Sequence, residues 1–130
     1  MIFLRRAVCL AFGIAVLSGF GTAFAANLTP EEFRRELLGV PMCGTPTAGP
    51  LAGKSLCTVH HADGTALVAG AGLLVRGLWQ ADAGRICRRN AHEPIEQQHC
   101  VDYERLSPER YKNSDGVEFC IGPCPDAAKP

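Results

Sequence analysis

The chain has 130 residues, a formal net charge of zero, 47% hydrophobic residues and 20% charged residues. This length excludes a multidomain enzyme, and the balanced charge excludes a strongly basic nucleic-acid-binding protein. We therefore expect one small domain, monomeric or weakly associating, that has no nucleic-acid partner.

Residues 1–25 have the pattern of a signal peptide. Arg5 and Arg6 precede an apolar run over residues 7–20, and the small residues Ala23 and Ala25 follow on either side of Phe24. This order is typical of a segment that is removed after export. The apolar run is shorter than the roughly 20 residues that a membrane-spanning helix needs. We therefore predict a periplasmic or secreted protein that has no membrane span after signal removal.

Removal of residues 1–25 leaves six of the seven cysteines in a single domain at 26–125, followed by a flexible tail at 126–130. In an oxidising compartment, cysteines are expected to form disulfides. Six cysteines permit fifteen pairings, and the sequence alone does not choose among them. Cys87 and Cys100 are the favoured pair, because they lie in consecutive predicted strands joined by a loop. The disulfide candidates are Cys43, Cys57, Cys87, Cys100, Cys120 and Cys124.

A short helix is predicted at the start of this domain. Thr29 and Glu32 have the spacing of a capping box, in which each side chain accepts a hydrogen bond from the other residue's backbone N–H. Phe33 and Leu37 then share one face, and Gly39 ends the helix. A helix of about nine residues is not stable alone in water. We therefore expect its apolar face to cover the rest of the fold; a partner-binding helix is the alternative.

Short β-prone runs alternate with turn residues from residue 56 onwards, which is typical of an antiparallel meander. The first hairpin has strands at 57–61 and 65–68 around a tight turn at Asp63-Gly64. Residues 40–54, rich in proline and glycine, are predicted to be an ordered loop or an irregular edge strand.

The second hairpin contains the only tryptophan. Residues 73–79 form a nearly continuous apolar run and are predicted to be a central strand. A three-residue turn that ends at Gly84 pairs Trp79 with Cys87. We therefore expect Trp79 to cover a cysteine sulfur.

Further strands are predicted at 98–104, 110–113 and 117–121, which makes six or seven short strands in all. The predicted fold class is mainly β: a small antiparallel meander, lipocalin-like or sandwich-like, with one short N-terminal helix. Up to three disulfides are expected to staple it, because a chain of this length buries only a marginal core.

Four short motifs occur in the order Asp63-Gly64-Thr65, Gly77-Leu78-Trp79, Gly84-Arg85-Ile86-Cys87 and Cys100. Together they resemble a group of small exported (periplasmic) bacterial β-meander proteins that have no established activity. The resemblance covers about residues 57–101 and implies a compact meander in an exported protein, without any catalytic residue to carry over. The chain departs from this pattern by its additional cysteines Cys43, Cys57, Cys120 and Cys124.

Adjacent histidines occur in the first hairpin. Because neighbours along a strand point to opposite faces, His60 and His61 do not bind one ion without a bulge. The predicted turn places His60 opposite Leu67 and His61 opposite Ala66. We therefore expect both to be surface or boundary residues.

Cys120 and Cys124, which are followed by Pro125, resemble the copper-handling motif of the cytochrome oxidase assembly proteins of the thioredoxin fold. In that family the motif opens a helix and a histidine follows it, whereas no histidine follows here. Thiolates suit Cu(I), so a periplasmic copper- or zinc-binding protein is an alternative to the structural disulfide that we favour. The imidazole ligand would come from His60, His61, His92 or His99.

Arg85, Arg88 and Arg89 form a small basic cluster after the second turn. Acidic residues occur throughout the same region, so its charge is mixed. A mixed pattern favours ordinary solvated strand faces over a site for an anionic ligand.

The chain has no Gly-x-Ser-x-Gly elbow, no phosphate-binding glycine loop and no His-Glu-x-x-His zinc helix. We therefore predict a non-enzymatic exported domain, without a cofactor, that binds a small ligand or an envelope protein. A pocket is expected where Phe33, Trp79 and Tyr103 converge at one end of the sheet. An envelope inhibitor or stress-protective structural protein is a further alternative.

Overall fold

The computed structural model describes residues 26–124, so the predicted signal peptide and the predicted tail at 126–130 lie outside the described residues. This part of the chain contains one α-helix, α1 at Pro30–Leu37, and a 3-10 helix at Ile95–Gln97. No helix in the same range is long and apolar enough to cross a membrane. The strands of residues 26–124 are β1 Met42–Gly44, β2 Leu56–His60, β3 Thr65–Gly70, β4 Leu73–Asp82, β5 Arg85–Asn90, β6 His99–Val101, β7 Tyr103–Ser107, β8 Arg110–Asn113 and β9 Glu118–Ile121.

The described residues form nine strands, more than the six or seven predicted. The segment 40–54, rich in proline and glycine, contributes β1, which lies inside the sheet rather than at its edge. The run predicted at 98–104 forms two strands, β6 and β7, which are separated at Asp102. These two strands pair with different neighbours, β5 and β8.

Neighbouring strands are antiparallel throughout, in the order β6-β5-β4-β3-β2-β1-β9-β8-β7. The two edge strands follow each other in the chain, and the sheet curls into a nearly closed barrel. At the corner between them, the Ser114 backbone N–H donates to the Asp102 carbonyl (2.9 Å), and the Asp102 N–H donates to the Ser114 hydroxyl (3.0 Å). The predicted class, a mainly β antiparallel sheet with one helix and disulfides, is confirmed.

The helix α1 begins with the predicted capping box. The Thr29 N–H donates to Glu32 Oε2 (2.8 Å), and the Glu32 N–H donates to Thr29 Oγ1 (3.2 Å). Phe33 and Leu37 are fully buried, as their spacing on one helical face predicts. The helix therefore packs on the barrel through one apolar face.

Backbone hydrogen bonds fasten the chain to the barrel on each side of α1. The Leu28 N–H donates to the Tyr103 carbonyl on β7, and the Gly39 N–H donates to the His60 carbonyl on β2, both at 2.7 Å. These two strands are not neighbours in the sheet. The helix consequently spans one end of the barrel and closes it.

Glu36 adds a polar contact between α1 and strands β7 and β8. Its carboxylate accepts hydrogen bonds from Arg105 Nε and from the Tyr111 hydroxyl, each at 3.0 Å. The hydrogen bonds from Arg105 hold the pKa of Glu36 at about 2. The helix is therefore held by a charged contact as well as by its buried face.

Three disulfides occur in residues 26–124: Cys43–Cys57, Cys87–Cys100 and Cys120–Cys124. The first two join directly opposite residues on neighbouring strands, β1 with β2 and β5 with β6. The favoured pair of the sequence analysis, Cys87 with Cys100, is thus bonded. The third disulfide closes a short loop after β9.

The turn between β2 and β3 is one residue longer than predicted. The His61 N–H donates to the Thr65 carbonyl (2.8 Å), which leaves Ala62, Asp63 and Gly64 as the loop. The Asp63 carboxylate accepts hydrogen bonds from the Thr65 N–H (2.9 Å) and hydroxyl (2.6 Å). Gly64 has a φ of 87°. This combination stabilises a three-residue loop that ends in a left-handed glycine.

The longer loop changes the face on which His60 lies. His60 is opposite Ala66, not Leu67. His61 is not opposite Ala66 but bonds to Thr65 at the base of the loop. Because Ala66 belongs to the buried inner face, His60 also points into the barrel, where it has no exposed surface. The prediction that His60 is a surface or boundary residue was therefore wrong.

The turn between β4 and β5 is one residue shorter than predicted. Ala83 and Gly84 both have positive φ, 48° and 76°, which is typical of a two-residue type I′ turn. Trp79 is consequently opposite Arg88 and not Cys87. The expectation that Trp79 covers a cysteine sulfur was wrong, because the register places the two side chains on opposite faces.

Candidate functional site

The end of the barrel opposite α1 contains a cavity of about 500 Å³. On β2, His60 lies at the α1 end, and the inward-facing residues Thr58 and Leu56 lie progressively farther from it. Loop residues 46–49 and Leu51 contribute to the rim. The wall carries the apolar side chains Leu56, Val68, Val117 and Phe119 and the polar side chains Thr58, Arg88, Asn113 and Asp115.

Arg88 of β5 lies on the inner face of the barrel. It is directly opposite Trp79 on β4 and His99 on β6. Ile86, two residues earlier on the same strand, shares this face and is buried in the core. Arg88 itself is half-buried and lines the cavity. Its position therefore brings a positive charge into the barrel.

The three arginines of the basic cluster do not share one face of strand β5. Arg85 Nε lies 3.4 Å from the Asp102 carboxylate, and the Arg89 guanidinium donates to the Glu93 carbonyl (2.7 Å). Arg88 forms no ion pair within residues 26–124. The expectation of ordinary strand faces fits Arg85 and Arg89, whereas Arg88 is an interior cation without a charged partner in this range.

Two further polar side chains lie in the interior near Arg88. Neither the ring nitrogens of His60 nor the hydroxyl of Tyr103 has a hydrogen-bond partner among the described residues. Burial, followed by the charge of Arg88, lowers the pKa of His60 to about 3. Burial raises the pKa of Tyr103, and the charge of Arg88 opposes that rise. The interior therefore combines a cation with two neutral polar groups.

Asn113 and a histidine–carboxylate pair order the rim. The side-chain oxygen of Asn113 accepts hydrogen bonds from the backbone N–H groups of Asp115 (3.1 Å) and Val117 (3.0 Å). His99 Nε2 donates to the Asp115 carboxylate (2.7 Å). This bond joins β6 to the β8–β9 turn across the seam of the barrel. The Asp115 carboxylate is thus already engaged by a neighbour.

A neighbouring cavity, of about 300 Å³, shares Val68 and Arg88 with the first. Its acidic residue is Glu93, whose carboxylate accepts hydrogen bonds from the Asn90 N–H (2.9 Å) and side-chain amide (2.8 Å). These hydrogen bonds lower the pKa of Glu93. Arg88 therefore borders two cavities, and the carboxylates that line them are bonded to other residues.

The structure brings together the three aromatic residues that were predicted to form a pocket. The Phe33 ring centre lies 5.6 Å from that of Trp79 and 5.2 Å from that of Tyr103. Their exposed fractions are only 0%, 8% and 1%, so they fill the core beneath α1. None of them lines the 500 Å³ cavity. Their part in ligand binding stays a prediction, and the open cavity lies at the other end.

Sequence reasoning missed Arg88 and Asn113 as residues of a candidate site. Arg88 was assigned to a solvated face because the charges in its region are mixed, and the predicted turn before β5, one residue too long, did not place it opposite Trp79. The apolar character of Ile86 was the available signal, since residues two apart on a strand share a face. Asn113 carried no comparable signal, because its partners come from the turn that follows it.

Four candidate residues of the alternative copper or zinc site are either disulfide-bonded or at least partly buried. Cys120 and Cys124 form a disulfide, His60 lies in the core, and His61 is half-buried beside the β2–β3 loop. Among the residues that the structure describes, no group of three or more histidine, cysteine or acidic side chains is placed to hold a metal ion. A copper or zinc site at Cys120 and Cys124 requires reduction of their disulfide and stays a prediction.

Comparison with known proteins identifies no relative of this chain. The chain matches no protein-family model, no curated protein and no solved structure. Function is therefore inferred from the barrel's own cavity, charges and contacts.

Proposed function

We propose that this protein is an exported, non-enzymatic domain that binds a small molecule in the open end of its barrel. The cavity of about 500 Å³ is the observation that carries the proposal. Ligand pockets usually measure about 300 to 1,000 Å³ and combine an apolar wall with a few polar groups. The wall of this cavity has that composition.

The disulfides support the exported location. Two of them close sequence separations of 14 and 13 residues between neighbouring strands. Cross-links of this kind persist in oxidising compartments and restrict the unfolded chain of a small domain. Together with the signal peptide predicted at 1–25, they favour the periplasm or the exterior of the cell.

A small molecule explains the interior better than an envelope protein partner does. The ring nitrogens of His60 and the hydroxyl of Tyr103, which have no hydrogen-bond partner in residues 26–124, lie inside the barrel, and Arg88, which forms no ion pair in that range, lines its cavity. A folded partner would contact the rim and the outer face, whereas a small molecule enters the cavity. The polar interior is therefore the feature that favours a small molecule over a protein partner.

A substitution that fills the cavity tests the proposal. Val68 lines both cavities, whereas Ala69, its neighbour on β3, is exposed on the opposite face. We expect small amphipathic molecules to raise the melting temperature of the wild type and to change the fluorescence of Trp79, which lies opposite Arg88. Val68→Phe should abolish both effects, and Ala69→Phe should preserve them.

The same measurements define the contrary result. If a molecule that binds the wild type binds Val68→Phe equally well, its site is not the cavity. If a broad panel of acids, alcohols and amines leaves both the Trp79 emission and the melting temperature of the wild type unchanged, the binding function itself is wrong.

A further inference from the structure

We propose that the ligand carries a single carboxylate, which enters the barrel and forms paired hydrogen bonds with Arg88, while its apolar portion extends toward the rim. This inference rests on the proposed small-molecule function and names the chemical class of the ligand. It follows from the charges that face the cavity, the composition of the wall and the geometry of the guanidinium group.

The charge of Arg88 is the first argument. A cation inside a barrel loses hydration, and this loss is costly unless an anion or several hydrogen-bond acceptors replace the water. Arg88 borders two cavities and forms no ion pair within residues 26–124. The planar guanidinium presents two parallel N–H donors, which match the two oxygens of a carboxylate.

The neighbouring acidic residues are the second argument. The Asp115 carboxylate accepts a hydrogen bond from His99 (2.7 Å), and the Glu93 carboxylate accepts two from Asn90 (2.9 and 2.8 Å). Neither lies within ion-pair distance of Arg88. A ligand carboxylate would therefore be the charge that compensates Arg88.

The same acidic residues limit the charge that the ligand carries. One cation balances one carboxylate, whereas a doubly charged phosphate would keep an uncompensated charge near Asp115, which lines the same cavity. Asp115 also disfavours an orientation in which the ligand's charge stays beside it. The carboxylate is consequently expected at Arg88 and the uncharged portion of the ligand beyond it.

The apolar wall of the cavity favours a ligand that has an apolar portion. Leu56, Val68 and Phe119 line the cavity on strands β2, β3 and β9, and Val117 lines it from the β8–β9 turn. Burial of hydrocarbon against these side chains contributes about 25 cal/mol for each Å² removed from water. A short acyl or aryl carboxylate satisfies both the charge of Arg88 and this apolar wall.

A matched series of ligands tests the inference by isothermal titration calorimetry. The probes are octanoate, octanamide and octylamine, which share an eight-carbon chain and differ in charge. We expect octanoate to bind the wild type at least about tenfold more tightly than octanamide, because hydrogen bonds between charged groups are stronger than those of a neutral amide. Octylamine should bind most weakly, since Arg88 repels it.

Variants at Arg88 assign the preference to this residue. Arg88→Gln should remove the advantage of octanoate over octanamide, and Arg88→Lys should keep part of it, because lysine retains the charge but not the paired donors. Arg76→Gln is the matched control: Arg76 is an exposed residue of β4 that lines neither cavity, and its loss changes the net charge equally. Circular dichroism shows whether each variant is folded.

The outcomes separate this inference from the proposed function. Equal binding of octanoate and octanamide to the wild type, or an undiminished octanoate preference in folded Arg88→Gln, overturns the carboxylate inference and leaves small-molecule binding in place. Absence of binding by all three probes also overturns the carboxylate inference, and the ligand panel of the Val68→Phe experiment then decides the function separately. If Arg88→Gln does not fold, the wild-type comparison and Arg88→Lys decide the question.

Discussion

His60 places a titratable group at the centre of an otherwise apolar and aromatic cluster. Its ring centre lies 5.1 Å from that of Phe33 and 5.6 Å from that of Trp79, and the rings meet edge to face in both pairs. Burial disfavours the charged form, so the pKa falls from 6.5 to about 3. At neutral pH His60 is therefore uncharged and packs as a flat aromatic side chain. The free-energy cost of burying its protonated form arises only in acid.

We expect His60 to make the fold sensitive to acid. Below pH 6.5, and until the native pKa of about 3 is reached, the unfolded chain binds a proton that the native chain does not. The free energy of unfolding therefore decreases by up to about 1.4 kcal/mol for each pH unit of acidification through this range. Above pH 6.5 both states are neutral, and this contribution is constant.

Substitution of the histidine checks this expectation. His60→Leu should flatten the pH dependence, whereas His92→Leu, at an exposed position, should keep the wild-type slope. Urea unfolding at several pH values between 5 and 7 measures the slopes and avoids the range in which carboxylates with ordinary pKa values titrate. Identical slopes in the wild type and His60→Leu would contradict the argument.

At the scale of elements, the two hairpin turns decide which side chains face the interior. The β2–β3 loop has one residue more than a type I′ turn, and the β4–β5 turn has one residue fewer than a three-residue loop. Side chains alternate along a strand. Adding or removing one residue in a turn therefore shifts the pairing register and moves all the inward-facing side chains of the partner strand to the other face. This is how His60 and Arg88 come to lie inside the barrel.

The backbone of Ala83 provides a test of the β4–β5 turn. Its φ of 48° is unfavourable for a residue with a Cβ atom and natural for glycine. We expect Ala83→Gly to raise the free energy of unfolding by about 0.5 kcal/mol, after the greater flexibility of glycine in the unfolded chain is subtracted. Chemical denaturation of the purified variant measures this difference.

Ala62→Gly is the matched control, because Ala62 lies in the other hairpin loop and has no positive φ. This substitution should lower the free energy of unfolding. A decrease for Ala83→Gly as well would mean that Ala83 does not hold a left-handed conformation, and it would favour the three-residue turn and the pairing of Trp79 with Cys87.

At the scale of the whole molecule, the barrel has one filled end and one open end. The core residues Phe33, Leu37, Trp79 and Tyr103 occupy the end that α1 spans. The cavity lies at the opposite end, where the wall carries Arg88 and the rim carries the His99–Asp115 pair. The filled end gives the domain its core, so the open end is available for a ligand.

Phe33 tests the contribution of the filled end. Its side chain is fully buried and contacts the aromatic rings of both β4 and β7. We expect Phe33→Ala to lower the free energy of unfolding by about 3 to 5 kcal/mol, as large-to-small substitutions in cores do, and to shift the Trp79 emission to longer wavelengths.

The neighbouring residue on the exposed face supplies the control. Arg34 has only a distant contact with Glu31, 3.9 Å between charged atoms, so Arg34→Ala should change the stability by less than about 1 kcal/mol. If Phe33→Ala were as stable as Arg34→Ala and left the Trp79 emission unchanged, α1 would not close the barrel.

Several features of the fold were predictable because their signals are local. The capping box of Thr29 and Glu32 identified the start of α1, and the alternation of β-prone runs with turns identified the antiparallel class. The disulfide between Cys87 and Cys100 followed from the proximity of two consecutive strands. For residues 40–54 the sequence left open an ordered loop or an irregular edge strand, because β1 is short and lies in a segment rich in proline and glycine, and only its neighbours β2 and β9 make it an inner strand.

The candidate site was much less predictable than the fold class. Arg88 and Asn113 are polar residues in strands, and such residues usually face solvent. Their inward position depends on the turn lengths and on the closure of the sheet through Asp102 and Ser114. The aromatic residues singled out for a pocket do converge, but they fill the space between them.

The sequence by itself determined a small, mainly β domain with an N-terminal helix and a supply of cysteines, because capping, alternation and turn composition act over a few neighbouring residues. The tertiary structure alone decided which end of the barrel is filled and that Arg88 faces a cavity. These properties depend on register and on barrel closure, which join residues distant in the chain, and a difference of one residue in a turn reverses the face on which a side chain lies.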